Sequence, residues 1–142
     1  MSLCVFCEIP IKYRNRILYE DVLIIIIKDK NPIAHIHLQC IPKIHIKNIN
    51  SLTYKFISLI EHMKEESINY ITKNYDKVNR EDIIQGFHIP PFYTVKHLHL
   101  HCIVPPYKNC CLKIFKINCI MRRVDVVLAK LKRDEKPEII VG

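Results

Sequence analysis

Glycine is nearly absent from this 142-residue chain: Gly86 and Gly142 are the only two, and no Gly/Ser-rich stretch, low-complexity tract or internal repeat occurs. Flexible joints are therefore scarce, which excludes modules strung on loose linkers and points to one compact unit. Long hydrophobic runs are also lacking. The most apolar, Val22 to Ile27, spans six residues, where a membrane helix needs about 20, so it reads as a buried strand and no membrane partner is expected. The start, Met1-Ser2-Leu3-Cys4, has neither the basic region nor the apolar stretch of a signal peptide. Ser2 also stands where N-myristoylation needs glycine, so no export or lipid signal is expected.

What is present is an ordinary globular balance, 49% hydrophobic and 25% charged. A domain of this length buries roughly 70% of its extended-chain surface and needs no disulfide or metal merely to fold. The seven cysteines, an odd number without secretory context, therefore read as reduced thiols of a cytoplasmic and/or nuclear protein. Net charge is +8 and unevenly placed: residues 1–71 hold 9 basic and 7 acidic side chains, residues 72–142 hold 13 and 7. Segment 108–136 alone carries 9 basic and 3 acidic residues. Such a segment reads either as the footprint of a polyanion or as a solvated helix face.

Ile17-Leu18-Tyr19, Val22 to Lys28 and Ile36 to Ile41 read as strands separated by Glu20-Asp21 and Asp29-Lys30-Asn31-Pro32. Ser51 is expected to cap a helix running to about Asn74, with Leu52, Phe56, Leu59, Ile60, Met63, Tyr70 and Ile71 at helical spacing. Asp82 to His88 and Lys96 to Val104 read as two more strands, the second ending before Pro105-Pro106, which cannot donate to a ladder. The recurrence Ile117, Ile120, Met121, Val124, Val127, Leu128, Leu131 predicts a C-terminal amphipathic helix. The fold class is α+β.

His97-Leu98-His99-Leu100-His101 presents three imidazoles on one face of an extended chain, with Leu98, Leu100 and Cys102 on the other. Such a row can bind a transition metal, or one imidazole can act as a nucleophile while its neighbours hold an anion. Upstream lie His35-Ile36-His37, then Ile41-Pro42-Lys43-Ile44-His45, and near the N-terminus Cys4-Val5-Phe6-Cys7-Glu8-Ile9. A lone Cys-x-x-Cys is a weak zinc signal, because a closed site needs four ligands.

These blocks, in this order and with Lys28-Asp29-Lys30-Asn31-Pro32 between them, closely resemble the histidine triad (HIT) family over about residues 4–106. Gly86-Phe87-His88-Ile89-Pro90-Pro91-Phe92 looks most like the third branch of histidine triad nucleotide-binding proteins, near aprataxin. The resemblance implies the HIT fold: a five-stranded antiparallel sheet, one long central helix and a C-terminal helix. The expected division is a HIT domain over 1–106 and a helical extension over 107–142 packed on it. The implied reaction is hydrolysis at the α-phosphorus of a purine nucleotide conjugate. His99 would be the nucleophile, its ring oriented by the main-chain carbonyl of His97. His101 and Thr94 would hold phosphate oxygens, His37 would stand near the nucleophile, and Asp29 would accept the ribose hydroxyls. Phe6, Ile9 and Ile27 would form the base pocket, although side chains like these serve equally well as core. The resemblance also implies a structural zinc on Cys4, Cys7, His45 and His97, no organic cofactor, and a homodimer. Two further readings are less favoured: a nucleotide- or partner-binding module with incidental hydrolysis, which the intact histidine row disfavours, and removal of AMP from nucleic-acid ends, since no histidine follows His101 to complete the finger of two cysteines and two histidines that aprataxin carries after its HIT domain. Gly86 departs from the family's usual Asn.

Overall fold

The computed structural model describes residues 4–93, 95–108 and 119–135. Its elements are α1 (Val5–Lys12), β1 (Ile17–Glu20), β2 (Ile24–Lys28), β3 (Ala34–Pro42), α2 (Ile57–Asn74), β4 (Ile84–His88), β5 (Leu100–Tyr107), β6 (Met121–Arg123) and α3 (Val124–Asp134). The strands form one antiparallel sheet in the order β1-β2-β3-β5-β4-β6.

The α+β expectation holds, with six strands where five were expected. The sixth comes from Met121–Arg123, which apolar spacing assigned to the C-terminal helix. These residues instead pair with β4, with Gly86 opposite Arg123 and His88 opposite Met121, because the backbone groups along that edge of β4 are otherwise unpaired. The helix starts at Val124, and Ile117 lies outside the described residues.

Four other boundaries moved. Ser51 does not cap α2: Asn48 accepts the N–H of Asn50 at 2.9 Å, which holds a 3-10 turn at Ile49–Ser51, and a second turn at Tyr54–Phe56 precedes the helix. Such short-range side-chain bonds compete with the helical alternative. The strand expected from Lys96 begins at Leu100, so His97 and His99 lie just ahead of it. That strand also runs through Pro105 and Pro106. Pairing with β4 extends only to Ile84 opposite Ile103, and the register with β3 shifts between Ala34 and Ile36, so no ladder bond is lost there. Val22 and Leu23 are in a turn, because Asp21 Oδ1 accepts both the Leu23 and Ile24 amides at 2.8 and 2.9 Å. The sequence reading assigned no element to Val5–Lys12; that helix is short, carries Pro10 and has no side-chain cap, so its stability comes from burying Phe6 and Ile9 rather than from propensity.

The two sheet faces are covered differently. On one, Ile24, Ile26, Leu38, Cys40, Leu100 and Cys102 meet the apolar stripes of α2 and α3. The buried Val124, Val127, Leu128 and Leu131 of α3 belong to this same cluster, each contributing roughly 1.5–3 kcal/mol. On the opposite face α1 covers only Ile25, Ile27 and Ile41. The remainder of that face, over β3, β5, β4 and β6, carries the buried Ala34, His37, Gln39, His101, Ile103 and Met121.

Candidate functional site

Strand alternation delivers the polar residues to this second face. On β5, His101 shares a face with Ile103; on β3, Gln39 lies opposite His101; on β4, Gly86 lies opposite His101, which brings His88, two residues on, to the same face. Gln39, His88, His101 and Ile103, together with Phe6 from α1 and Asp29 from the β2–β3 turn, line a cavity of about 510 Å³, within the ordinary size range of small-ligand sites.

Hydrogen bonds define the protonation of these rings. His99 Nδ1–H donates to the His97 carbonyl at 2.7 Å, which leaves the Nε2 lone pair free. Burial pushes the His99 pKa down to about 4, aided by His88 and opposed by the His97 carbonyl and Asp29, so the ring is neutral at pH 7. A second chain of bonds runs through His37 and His101. The Ile33 amide donates to His37 Nδ1 at 3.2 Å, so the His37 proton is on Nε2. That N–H lies 2.8 Å from His101 Nδ1, which therefore accepts, and the His101 proton falls on Nε2. That Nε2 is buried without a partner among the described residues. An unpaired buried donor costs about 1–3 kcal/mol unless something in the cavity accepts from it. Burial first, then His99, His88 and His37, hold His101 well below the usual imidazole range.

Asp29 is locked in place. Its Oδ1 accepts the Asn31 amide at 2.8 Å, its Oδ2 accepts from Gln39 Nε2 at 2.7 Å, and His37 Nε2 lies 3.2 Å from that Oδ2. The Phe6 ring meets His99 edge-on, with centroids 5.0 Å apart. Ile9 and Ile27, expected in the base pocket, are fully buried beneath Phe6 and do not line the cavity. Thr94 lies outside the described residues. His88 and Gln39 were missed. The His88 ring stacks on His101 at 4.3 Å and 29°, and burial lowers its pKa. Its two-residue spacing from Gly86 was visible, but the register that sets Gly86 against His101 was not.

His97 turns away from the cavity. Its Nε2–H donates to the Pro42 carbonyl at 2.8 Å, aiming the Nδ1 lone pair at a cluster built from three distant segments. His97 Nδ1 lies 3.1 Å from His45 Nδ1, 3.4 Å from Cys7 Sγ and 3.6 Å from Cys4 Sγ. Cys7 Sγ lies 3.4 Å from His45 Nδ1. A tetrahedral zinc with ordinary bond lengths separates its nitrogen ligands by about 3.3 Å and nitrogen from sulfur by about 3.5 Å. The four side chains thus have the spacing of a closed site, and the Pro42 carbonyl supplies the outer partner that ligating histidines usually have.

Fold and site define a small α+β protein whose sheet and its adjoining segments bring four imidazoles and one fixed carboxylate to a ligand-sized cavity. The family model described as "Scavenger mRNA decapping enzyme C-term binding" matches residues 3–116. Adenosine 5'-monophosphoramidase HINT3 of Danio rerio is 42% identical over 105 residues, covering 72% of this chain and 64% of that protein. Bifunctional adenosine 5'-phosphosulfate phosphorylase/adenylylsulfatase HINT4 of Arabidopsis thaliana is 39% identical over 111 residues, covering 73% of this chain and 71% of that protein. A HIT family hydrolase from Clostridium thermocellum superposes with a TM-score of 0.64 at 26% identity, over 79% of this chain and 98% of that one. The chain belongs to the HIT family. It spans about two thirds of the length of the curated relatives it matches.

Proposed function

We propose that the protein is a nucleotide-binding hydrolase that cleaves purine nucleoside phosphoramidates and related nucleotidyl conjugates at the α-phosphorus, as the names of its relatives suggest. In this reading His99 Nε2 attacks phosphorus while the bond to the leaving amine breaks, and the amine departs with a proton. The nucleotidyl-imidazole is then opened by water: its oxygen bonds to phosphorus, its proton is released, and the electron pair returns to His99. The nucleoside monophosphate leaves. The His101 Nε2–H is the donor for a non-bridging oxygen, placed before charge develops there. His37 fixes its tautomer, Asp29 takes the ribose hydroxyls, and Thr94 adds a hydroxyl at the phosphate.

One observation carries the reading: His99 has its Nδ1 proton committed to a carbonyl and its other nitrogen free, in a cavity that also holds an unpartnered buried N–H. The test is AMP release from adenosine 5'-phosphoramidate. The wild-type chain should turn over, and His99→Ala should lose at least about 10³-fold in kcat. A variant within tenfold of wild type would remove His99 as nucleophile. Removal of AMP from nucleic-acid ends is the weaker alternative, since the aprataxin of Danio rerio is only 26% identical to this chain. The alternative falls if nicked adenylated DNA is left intact.

Cys4, Cys7, His45 and His97 are proposed to hold a structural zinc. Four protein ligands leave no open position for water, and the ion would supply only rigidity to the segment from which His99 projects. A homodimer in the cytoplasm and/or nucleus completes the reading. Its sheets would meet through β1 or β6, because β6 covers the outer edge of β4.

A further inference from the structure

β6 places the C-terminal segment in the wall of the cavity. Met121 lies opposite His88, whose ring stacks on His101, and the Ile120 carbonyl accepts the Ile89 amide at 2.8 Å. Both Ile120 and Met121 line the cavity. Met121 is buried in an apolar cluster with Ala34 and Ile103, and Ile120 packs against it. The cavity therefore has two apolar flanks. One is Phe6 on α1, toward β2 and β3; the other is Ile120 and Met121, at the far edge of the sheet.

Gly86 permits this close approach. A Cβ at position 86 would stand 2.9 Å from the Arg122 carbonyl oxygen and 3.0 Å from Met121 Cε. The first contact is with backbone and cannot be relieved by a rotamer. A side chain at this position would press on β6 in its present place.

From these contacts we infer that Ile120 and Met121 are specificity-determining residues for the leaving group, forming within the chain an apolar wall that favours conjugates of large apolar amines over the unsubstituted phosphoramidate. The inference rests on the proposed hydrolase reading. The phosphorus must sit between His99 Nε2 and the His101 donor, with the nucleoside toward Phe6 and Asp29. In-line displacement sends the leaving group away from the attacking His99, into a cavity whose lining on the β4–β6 side is His88, Ile120 and Met121.

The test compares two substrates of the full chain, adenosine 5'-phosphoramidate and its N-(2-phenylethyl) derivative, by the ratio of their kcat/KM values. Wild type should prefer the phenylethyl compound. Met121→Ala and the volume-conserving Met121→Gln should each lower that preference about tenfold, the discrimination expected when a pocket loses apolar contact with its substrate. Ile120→Ala, at a less buried position, should lower it in the same direction and carries the test if thermal melting shows that a Met121 variant has not folded. A preference that stays within threefold of wild type in the folded variants, or rises, overturns the inference. Absence of turnover of both substrates by wild type would instead overturn the hydrolase reading, so the two failures are distinct.

Discussion

Replacing Gly86 with alanine adds one methyl group at the point where β4 and β6 are closest. Its carbon would meet the Arg122 carbonyl oxygen at 2.9 Å and Met121 Cε at 3.0 Å, whereas unstrained contacts of this kind are about 3.4 Å or longer. Met121 can turn its terminal methyl aside; the carbonyl cannot move without carrying β6 and the start of α3. Overpacking of this kind costs about 1–3 kcal/mol. Lower entropy of the unfolded chain returns about 0.4–1 kcal/mol. The net loss is about 0–2.6 kcal/mol and centres on about 1.3 kcal/mol, a central fall in melting temperature of about 4–5 °C for a chain of this size. Circular dichroism melts of the wild type, Gly86→Ala and the double variant Gly86→Ala/Met121→Ala measure it. The double variant should not recover the penalty of Gly86→Ala, because the backbone contact persists. A melting temperature for Gly86→Ala equal to or above that of wild type would refute the reasoning, since it would mean that β6 does not lie where its register places it.

Stability should also depend on pH through the cavity histidines. Burial lowers the pKa values of His37, His88 and His101, with Asp29 opposing the shift at His37 and His88. The unfolded chain therefore takes up protons first as pH falls below about 6.5. Stability is full above that value and declines below it, toward the lowered folded values; the urea midpoint should be lower at pH 5.5 than at 7.5, and equal midpoints would contradict the neutral-imidazole assignment. Zinc content of the purified chain, measured by atomic emission, should be near one per chain and fall at least fivefold in Cys4→Ser; an unchanged content would remove Cys4 from the site.

Where the chemistry depended on local period, the sequence was a good guide. Alternation through 97–102 separates the imidazoles from Leu98, Leu100 and Cys102, which lie in the main core. The spacing within α2 marks Ile60, Met63 and Ile71 as buried. The reading failed where a pattern fits two structures: Met121–Arg123 satisfies helical spacing yet forms a strand, because the free edge of β4 supplies hydrogen-bond partners. In the expected base pocket Phe6, Ile9 and Ile27 look alike as apolar residues, and only the placement of α1 sets Phe6 at the cavity with the other two beneath it.

Residue order alone determined that the imidazoles would alternate with Leu98, Leu100 and Cys102, that two cysteines would stand together near the start and that Val124, Val127, Leu128 and Leu131 would form the buried stripe of a basic helix, because side-chain direction along a strand or helix follows from backbone geometry within a few residues. Tertiary structure decided the rest. It split the row, turning His97 toward Cys4, Cys7 and His45 while His99 and His101 entered the cavity. It set the tautomers, through carbonyls and an amide contributed by Pro42, His97 and Ile33. His88 came over His101 and Met121 beside His88 through strand register. Apart from the local His99–His97 and His37–Ile33 bonds, these relations join residues a dozen or more positions apart, and they exist only once strand pairing has fixed which backbone group faces which ring.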